Sequence, residues 1–102
     1  MSNVVWAETQ EEFEDLVSST PRVVGLFTAP GWCNPCKQLA PHYDVASEKA
    51  DATFVAVDVD TAPWSMQDYG IKGVPTVMLF EDGKYSRNLL ERTAPKLLAE
   101  IA

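Results

Sequence analysis

Trp32-Cys33-Asn34-Pro35-Cys36-Lys37 contains both cysteines of the chain, three positions apart, directly after a strand-like run and at the start of a helix-like one. In the first turn of a helix, residues i and i+3 share a face, which brings two sulfurs close enough to bond. A loop that short removes little chain entropy, so a purely structural staple is poorly motivated and a reactive disulfide is the better reading. The other use of such a pair is a metal site. Structural zinc takes about four ligands. This pair and His42, the single histidine of the chain, supply at most three in a monomer, so a metal would need a second subunit.

On the N-terminal side of this hexapeptide, residues 22–28 (RVVGLFT) form a continuous apolar run suited to a central strand covered on both faces. The Ala29-Pro30-Gly31 corner breaks it just before Trp32. A helix is expected over about 34–50, kinked at Pro41, with Leu39, Tyr43 and Ala46 facing inward. The next strand, 53–60 (TFVAVDVD), runs parallel to the first if the helix between them is a right-handed crossover. Residues 62–69 have weaker helical character, and 70–75 (GIKGVP) read as a loop. Strands over 76–81 and about 84–89 are joined at Asp82-Gly83, a strong hairpin signal. Thr93-Ala94-Pro95 opens a last amphipathic helix that buries Leu97, Leu98 and Ile101. Near the chain start, Val4-Val5-Trp6 suits a short edge strand. Thr9 with Glu12 forms a capping box for a helix to about Ser18, with Phe13, Leu16 and Val17 buried. The string βαβαβαββα, without repeats or linkers, describes one α/β domain spanning 1–102.

The bulk properties narrow the partners. Fifteen acidic residues against eight basic ones give 102 residues a net charge of -7, and no Lys/Arg cluster could track a phosphate backbone, so nucleic acid is not expected. The chain start has neither the basic segment nor the apolar stretch of a secretory signal, and no run is long enough to span a membrane. A reducing, cytoplasmic setting and a monomer are the expectation; there a CxxC is more plausibly catalytic than architectural.

With the CxxC placed between strand and helix, and Gly70-Ile71-Lys72-Gly73-Val74-Pro75-Thr76 downstream, the chain resembles the thioredoxin family. Val57-Asp58-Val59-Asp60 and Phe80-Glu81-Asp82-Gly83 extend the similarity over nearly the whole chain. The resemblance implies a thioredoxin fold, a central mixed five-stranded sheet flanked by about four helices. It implies protein-disulfide reduction through a Cys33-Cys36 disulfide, with Cys33 exposed as the attacking sulfur and Cys36 buried as the resolving one. Cys33 at a helix N-terminus agrees, because unpaired N–H groups and the macrodipole favour a thiolate there. Pro35 suits the first helical turn, where its missing donor costs nothing. Pro75 matches the family's cis-proline, leaving the Val74 backbone free to pair with an extended substrate, with Gly73 beside it and Trp32 as the groove's apolar wall. Lys37, Asp58 and Asp60 are supporting candidates, Trp6 and Trp64 read as packing residues, and His42 as a surface or half-buried histidine. Electrons come from a separate reductase of the thioredoxin reductase type, and neither cofactor nor metal is expected.

The chain also departs from the family. Asn34 stands where glycine is common. The family's buried carboxylate falls on Phe27 in an ungapped count, or on Leu26 if Gly31 is an insertion, and its lysine partner falls on Ala56. Loss of both is coherent, because removing one alone would strand a buried charge. Asp58, on the face of Ala56, is the nearest replacement acid, unless it is a solvated strand-end residue. Glu91 falls at a groove position the family gives to glycine, which would put negative charge beside Trp32 and Val74. Rival readings are an oxidant or isomerase, and a thioredoxin-fold binding module or subunit of a larger assembly.

Overall fold

The computed structural model describes residues 2–102. In chain order it consists of β1 (Val5–Trp6), α1 (Gln10–Ser19), β2 (Arg22–Thr28), α2 (Asn34–Lys49), β3 (Thr53–Asp58), α3 (Trp64–Asp68), β4 (Thr76–Glu81), β5 (Lys84–Leu89) and α4 (Ala94–Ile101). The strands form one sheet ordered β1-β3-β2-β4-β5. β1 and β2 lie parallel to β3, while β4 runs antiparallel to β2 and β5 antiparallel to β4. The sheet is therefore mixed, with β2 at its centre, as the apolar run over these residues leads one to expect.

Side-chain alternation along the strands builds two cores. Val23 and Phe27 of β2, Val55 and Val57 of β3, and Met78 and Phe80 of β4 join Phe13 and Val17 of α1 on one face, with Trp64 of α3 packed against them. Val24 and Leu26, Phe54, and Val77 and Leu79 join Leu39, Tyr43 and Ala46 of α2 and Leu97 and Ile101 of α4 on the other. Tyr43 pins α2 to the sheet, its hydroxyl 2.7 Å from the Val55 carbonyl and 3.0 Å from that of Val24. Burial holds this phenol neutral by raising its pKa well above the usual value.

Local signals account for the ends of the elements. The Thr9 hydroxyl accepts the Glu12 N–H and the Glu12 carboxylate accepts the Thr9 N–H, both at 3.1 Å, closing the expected capping box. Asp82 and Gly83 both have positive φ, 53° and 81°, as a tight hairpin turn requires. β3 stops at Asp58, short of the expected 60, because the Asp58 carboxylate accepts the Asp60 N–H at 3.0 Å and its carbonyl accepts the Thr61 N–H at 3.1 Å. α3 is likewise shorter than the expected 62–69. Trp6 does not serve as a packing residue: it lies on a two-residue edge strand and is 52% exposed. Trp64 does pack, its ring 6.0 Å from that of Phe13.

Phe13 organises its core, with the rings of Phe27, Tyr69 and Phe80 at 5.5, 5.2 and 5.7 Å. Gly25 of β2 faces this cluster, and a Cβ there would meet the Phe13 ring at 3.2 and 3.3 Å and Phe80 at 3.4 Å. With rings on several sides, Phe13 has little room to yield. Gly25→Ala should therefore destabilise the fold by about 1–3 kcal/mol in urea unfolding, although alanine is ordinarily the better strand residue. Equal or greater stability of the variant would show that the aromatic cluster is not tightly packed.

Candidate active site

The site begins where β2 ends. The Ala29 carbonyl accepts the Cys33 N–H at 3.0 Å and the Trp32 N–H at 3.3 Å, folding residues 29–33 into a turn that delivers Cys33 to the start of α2. Cys33 is the N-cap residue, with φ -86° and ψ 107°. Its sulfur does what a serine or aspartate oxygen does at other helix starts, accepting the Cys36 N–H at 3.2 Å. Pro35 has no N–H to leave unpaired, and the Lys37 N–H reaches the Cys33 carbonyl at 3.1 Å. The two cysteines are disulfide-bonded, with Cα atoms 5.2 Å apart.

Cys33 is not exposed in this oxidised form. It retains 4% of its surface and Cys36 2%, so the two differ little in access. Cys33 belongs to the apolar cluster that includes Ala29 and Ile71, and its sulfur lies 3.7 Å from the Val74 carbonyl. The loop before β4 therefore covers it. The Val74–Pro75 peptide is cis, and the Thr76 hydroxyl donates to the Gly73 carbonyl at 2.6 Å. Gly73 is exposed, whereas Val74 and Pro75 are half-buried.

Trp32 stands beside the disulfide, 63% exposed, its ring held by a side-chain hydrogen bond. Its indole N–H donates to the Asp60 carboxylate at 2.9 Å, and Asp60 is in turn fixed by the Asp58 carboxylate through its own N–H. Both acids thus act through the turn after β3 to orient Trp32. Asn34 and Lys37 are exposed on the first turn of α2.

Beneath Cys36 lies a cavity of about 230 Å³ whose walls include Leu26, Thr28, Ala56 and Tyr43, opening past Trp6, Lys37 and Asp44. Leu26 and Ala56 are register partners across β2 and β3, exposed by 4% and 1%. Phe27 points into the opposite core against Phe13. The apolar pair under the disulfide is therefore Leu26 and Ala56. Asp58 is half-buried and does not line this cavity.

On the other side of the disulfide, the structure puts Arg92 where Glu91 was expected. Arg92 donates to the carbonyls of Leu89 and Glu91, each at 3.1 Å, and its other terminal nitrogen lies 3.5 Å from the Pro75 carbonyl. Glu91 is half-buried, with its N–H donated to the Glu100 carboxylate at 2.9 Å, and its side chain lines neither hollow beside Pro75. Both residues lie in the loop after β5, where the Glu100 carboxylate holds the Glu91 backbone and the Arg92 guanidinium reaches across to Pro75, just before β4. His42, half-buried on α2, accepts the Ala94 N–H through Nδ1 at 3.1 Å and so caps α4, a tertiary contact with no local sequence signal. Among the described residues, no group of three or more His, Cys, Asp or Glu side chains is placed to hold a metal.

Comparison with known proteins agrees with this geometry. A family model described as Thioredoxin matches residues 4–102. A thioredoxin of Mycoplasmoides gallisepticum is 47% identical over 74 residues, covering 72% of this chain and 73% of its own. One from Mycolicibacterium smegmatis is 40% identical over 82 residues, covering 76% and 72%. Among solved structures, a mutant thioredoxin from Halobacterium salinarum superposes with TM-score 0.84 at 31% identity, over 99% of this chain and 94% of that one. Thioredoxin from Schistosoma mansoni gives TM-score 0.85 at 31% identity over 97% and 93%. A helix-capping cysteine pair on this sheet, matched by the family from near one end of the chain to the other, means that the chain belongs to the thioredoxin family and is a thiol-disulfide oxidoreductase acting on protein disulfides.

Proposed function

We propose that Cys33 is the nucleophile and Cys36 the resolving cysteine. The observation that carries this assignment is the Cys36 N–H aimed at the Cys33 sulfur at 3.2 Å. In the reduced protein the same amide would donate to a thiolate. A hydrogen bond to a charged group contributes about 1.5–3 kcal/mol, more than the roughly 0.3–1 kcal/mol typical of the macrodipole. Since about 1.4 kcal/mol corresponds to tenfold in ionisation, that bond alone enriches the thiolate about ten- to hundredfold. Cys36, inside the first turn, has no equivalent donor.

The Cys33 thiolate attacks one sulfur of a substrate disulfide, and the other sulfur leaves as a thiolate. Cys36 then loses its proton and attacks the Cys33 sulfur, expelling the second substrate thiolate. The substrate gains two electrons and two protons, and Cys33-Cys36 becomes the disulfide seen here. A separate reductase of the thioredoxin reductase type restores the dithiol. The protein acts as a monomer in a reducing, cytoplasmic setting. Gly73, Val74 and Pro75 supply the backbone edge for an extended substrate, with Trp32 oriented by Asp60 beside it. The oxidant, isomerase and binding-module readings are not favoured, given the relatives and the paired cysteines.

Beneath Cys36, Leu26 and Ala56 offer no acid or base, Asp58 does not line the cavity, and the carboxylate in its wall, Asp44, stands at the opening. Water reaching Cys36 through the opening past Lys37 and Asp44, or the departing substrate thiolate itself, takes the proton.

Cysteine substitutions separate the two roles. With insulin as substrate, Cys36→Ser should accumulate a mixed disulfide through Cys33, while Cys33→Ser should give neither adduct nor turnover; an adduct through Cys36 in the latter would reverse the roles. Leu26→Asp should cost about 3 kcal/mol or more at neutral pH, because it buries an unpaired carboxylate. Such a group has its pKa raised in the folded state, so the penalty is full at high pH and lifts as pH falls. Adding Ala56→Lys, across the strand register, should recover part of the loss. A Leu26→Asp variant as stable as wild type would mean that position 26 does not lie on an apolar floor.

A further inference from the structure

We propose that the recess between α2, Pro75 and the start of α4 is a subsite for a carboxylate side chain of the protein substrate, held by Arg92 and His42. This rests on the reductase reading and specifies which disulfides the site prefers.

The recess has a volume of about 310 Å³ and is walled by Pro35, Gln38, His42, Pro75, Arg92 and Thr93. It adjoins the reacting atoms, since Pro35 lies between the cysteines and Pro75 follows the residue whose carbonyl is 3.7 Å from the Cys33 sulfur. A guanidinium carries five N–H donors. Arg92 directs its terminal nitrogens at three backbone carbonyls, those of Leu89, Glu91 and Pro75, which leaves donors uncommitted. His42 accepts the Ala94 N–H at Nδ1, so the neutral ring carries its proton on Nε2 as a donor. Thr93 makes no side-chain capping bond to α4, leaving its hydroxyl free as a further donor.

No carboxylate answers these donors. Asp and Glu are absent from the walls of the recess, and Glu100 is occupied by the N–H groups of Leu90 and Glu91 at 3.0 and 2.9 Å. In a chain of net charge -7, the recess beside the disulfide therefore presents a guanidinium with no carboxylate in its walls, the only side-chain acceptors there being the neutral groups of Gln38, His42 and Thr93. The complementary group is an anion with two acceptor oxygens, which a guanidinium binds in its planar fork. A substrate segment paired in extended form with the Val74 backbone advances about 3.3 Å per residue, so a Glu or Asp one or two residues from the attacked cysteine has the reach. The partner is an acidic peptide segment around a disulfide.

The test uses the intact protein and a set of short disulfide-bridged peptides, each with Glu, Gln or Lys at one of the two positions on either side of the attacked cysteine. Wild type should show kcat/KM higher for Glu than for Gln at one position by about five- to tenfold, the range for a charge-assisted bond partly screened by solvent, and lowest for Lys. Arg92→Ala and Arg92→Gln should each reduce that ratio to near one, and high salt should lower it in wild type. If Arg92→Ala loosens the loop, Arg92→Gln, which keeps amide donors for the carbonyls, still reports on the charge. Equal use of Glu and Gln peptides by wild type at every position, or a Glu preference that survives both substitutions, overturns the subsite. Turnover of the Gln peptides tests the reductase reading separately, because failure there would remove all activity and not merely the preference.

Discussion

One carbonyl sets the position of the Cys33 sulfur. Ala29 directly follows β2, the central strand of the sheet, and its oxygen accepts both the Trp32 and Cys33 N–H groups. That turn converts the rigid end of a central strand into the first turn of α2 and leaves Cys33 as the N-cap. Everything chemical depends on this handover. The sulfur accepts the Cys36 amide because it occupies the cap, and it meets the Val74 carbonyl because β4, paired directly with β2, begins beside the same end of the sheet. Catalytic geometry placed on paired strands and a helix terminus is held more firmly than geometry placed on loops alone.

The floor beneath the disulfide represents a different physical solution from a buried ion pair. Leu26 and Ala56 face each other across β2 and β3, and both are almost fully buried. A buried pair must recover a large desolvation cost through near-ideal geometry, and exchanging both members for apolar groups is often neutral or stabilising. Here the exchange leaves a cavity next to Cys36 with Tyr43 in its wall, neutral and bonded to the sheet. The Leu26–Ala56 floor therefore contributes no titrating group, and the charged side chains of this cavity, Lys37 and Asp44, stand at its opening.

Elements specified by local chemistry could be read from the sequence. The Thr9 and Glu12 box and the Asp82-Gly83 turn rest on contacts or backbone angles within a few residues, and β2 and β4 announce themselves by apolar, β-branched runs although their pairing partners are distant in sequence. What could not be read depends on contacts between distant segments. Whether Leu26 or Phe27 lies under the disulfide is settled by strand register, not by counting. The burial of Cys33 follows from the docking of a loop more than forty residues away. Arg92 takes the place beside Pro75 through a contact from the loop after β5 to the Pro75 carbonyl, and Trp6 lies exposed on a two-residue edge strand.

The central claim is that the cap position makes Cys33, and not Cys36, the ionised sulfur. The most direct measurement is the pH dependence of iodoacetamide alkylation of the reduced protein, resolved by peptide mass for each cysteine. Cys33 should be modified first at neutral pH, at a rate that rises with a midpoint below that of an ordinary thiol, while Cys36 stays slow until higher pH. Faster modification of Cys36, or a Cys33 midpoint equal to that of a free thiol, would contradict it.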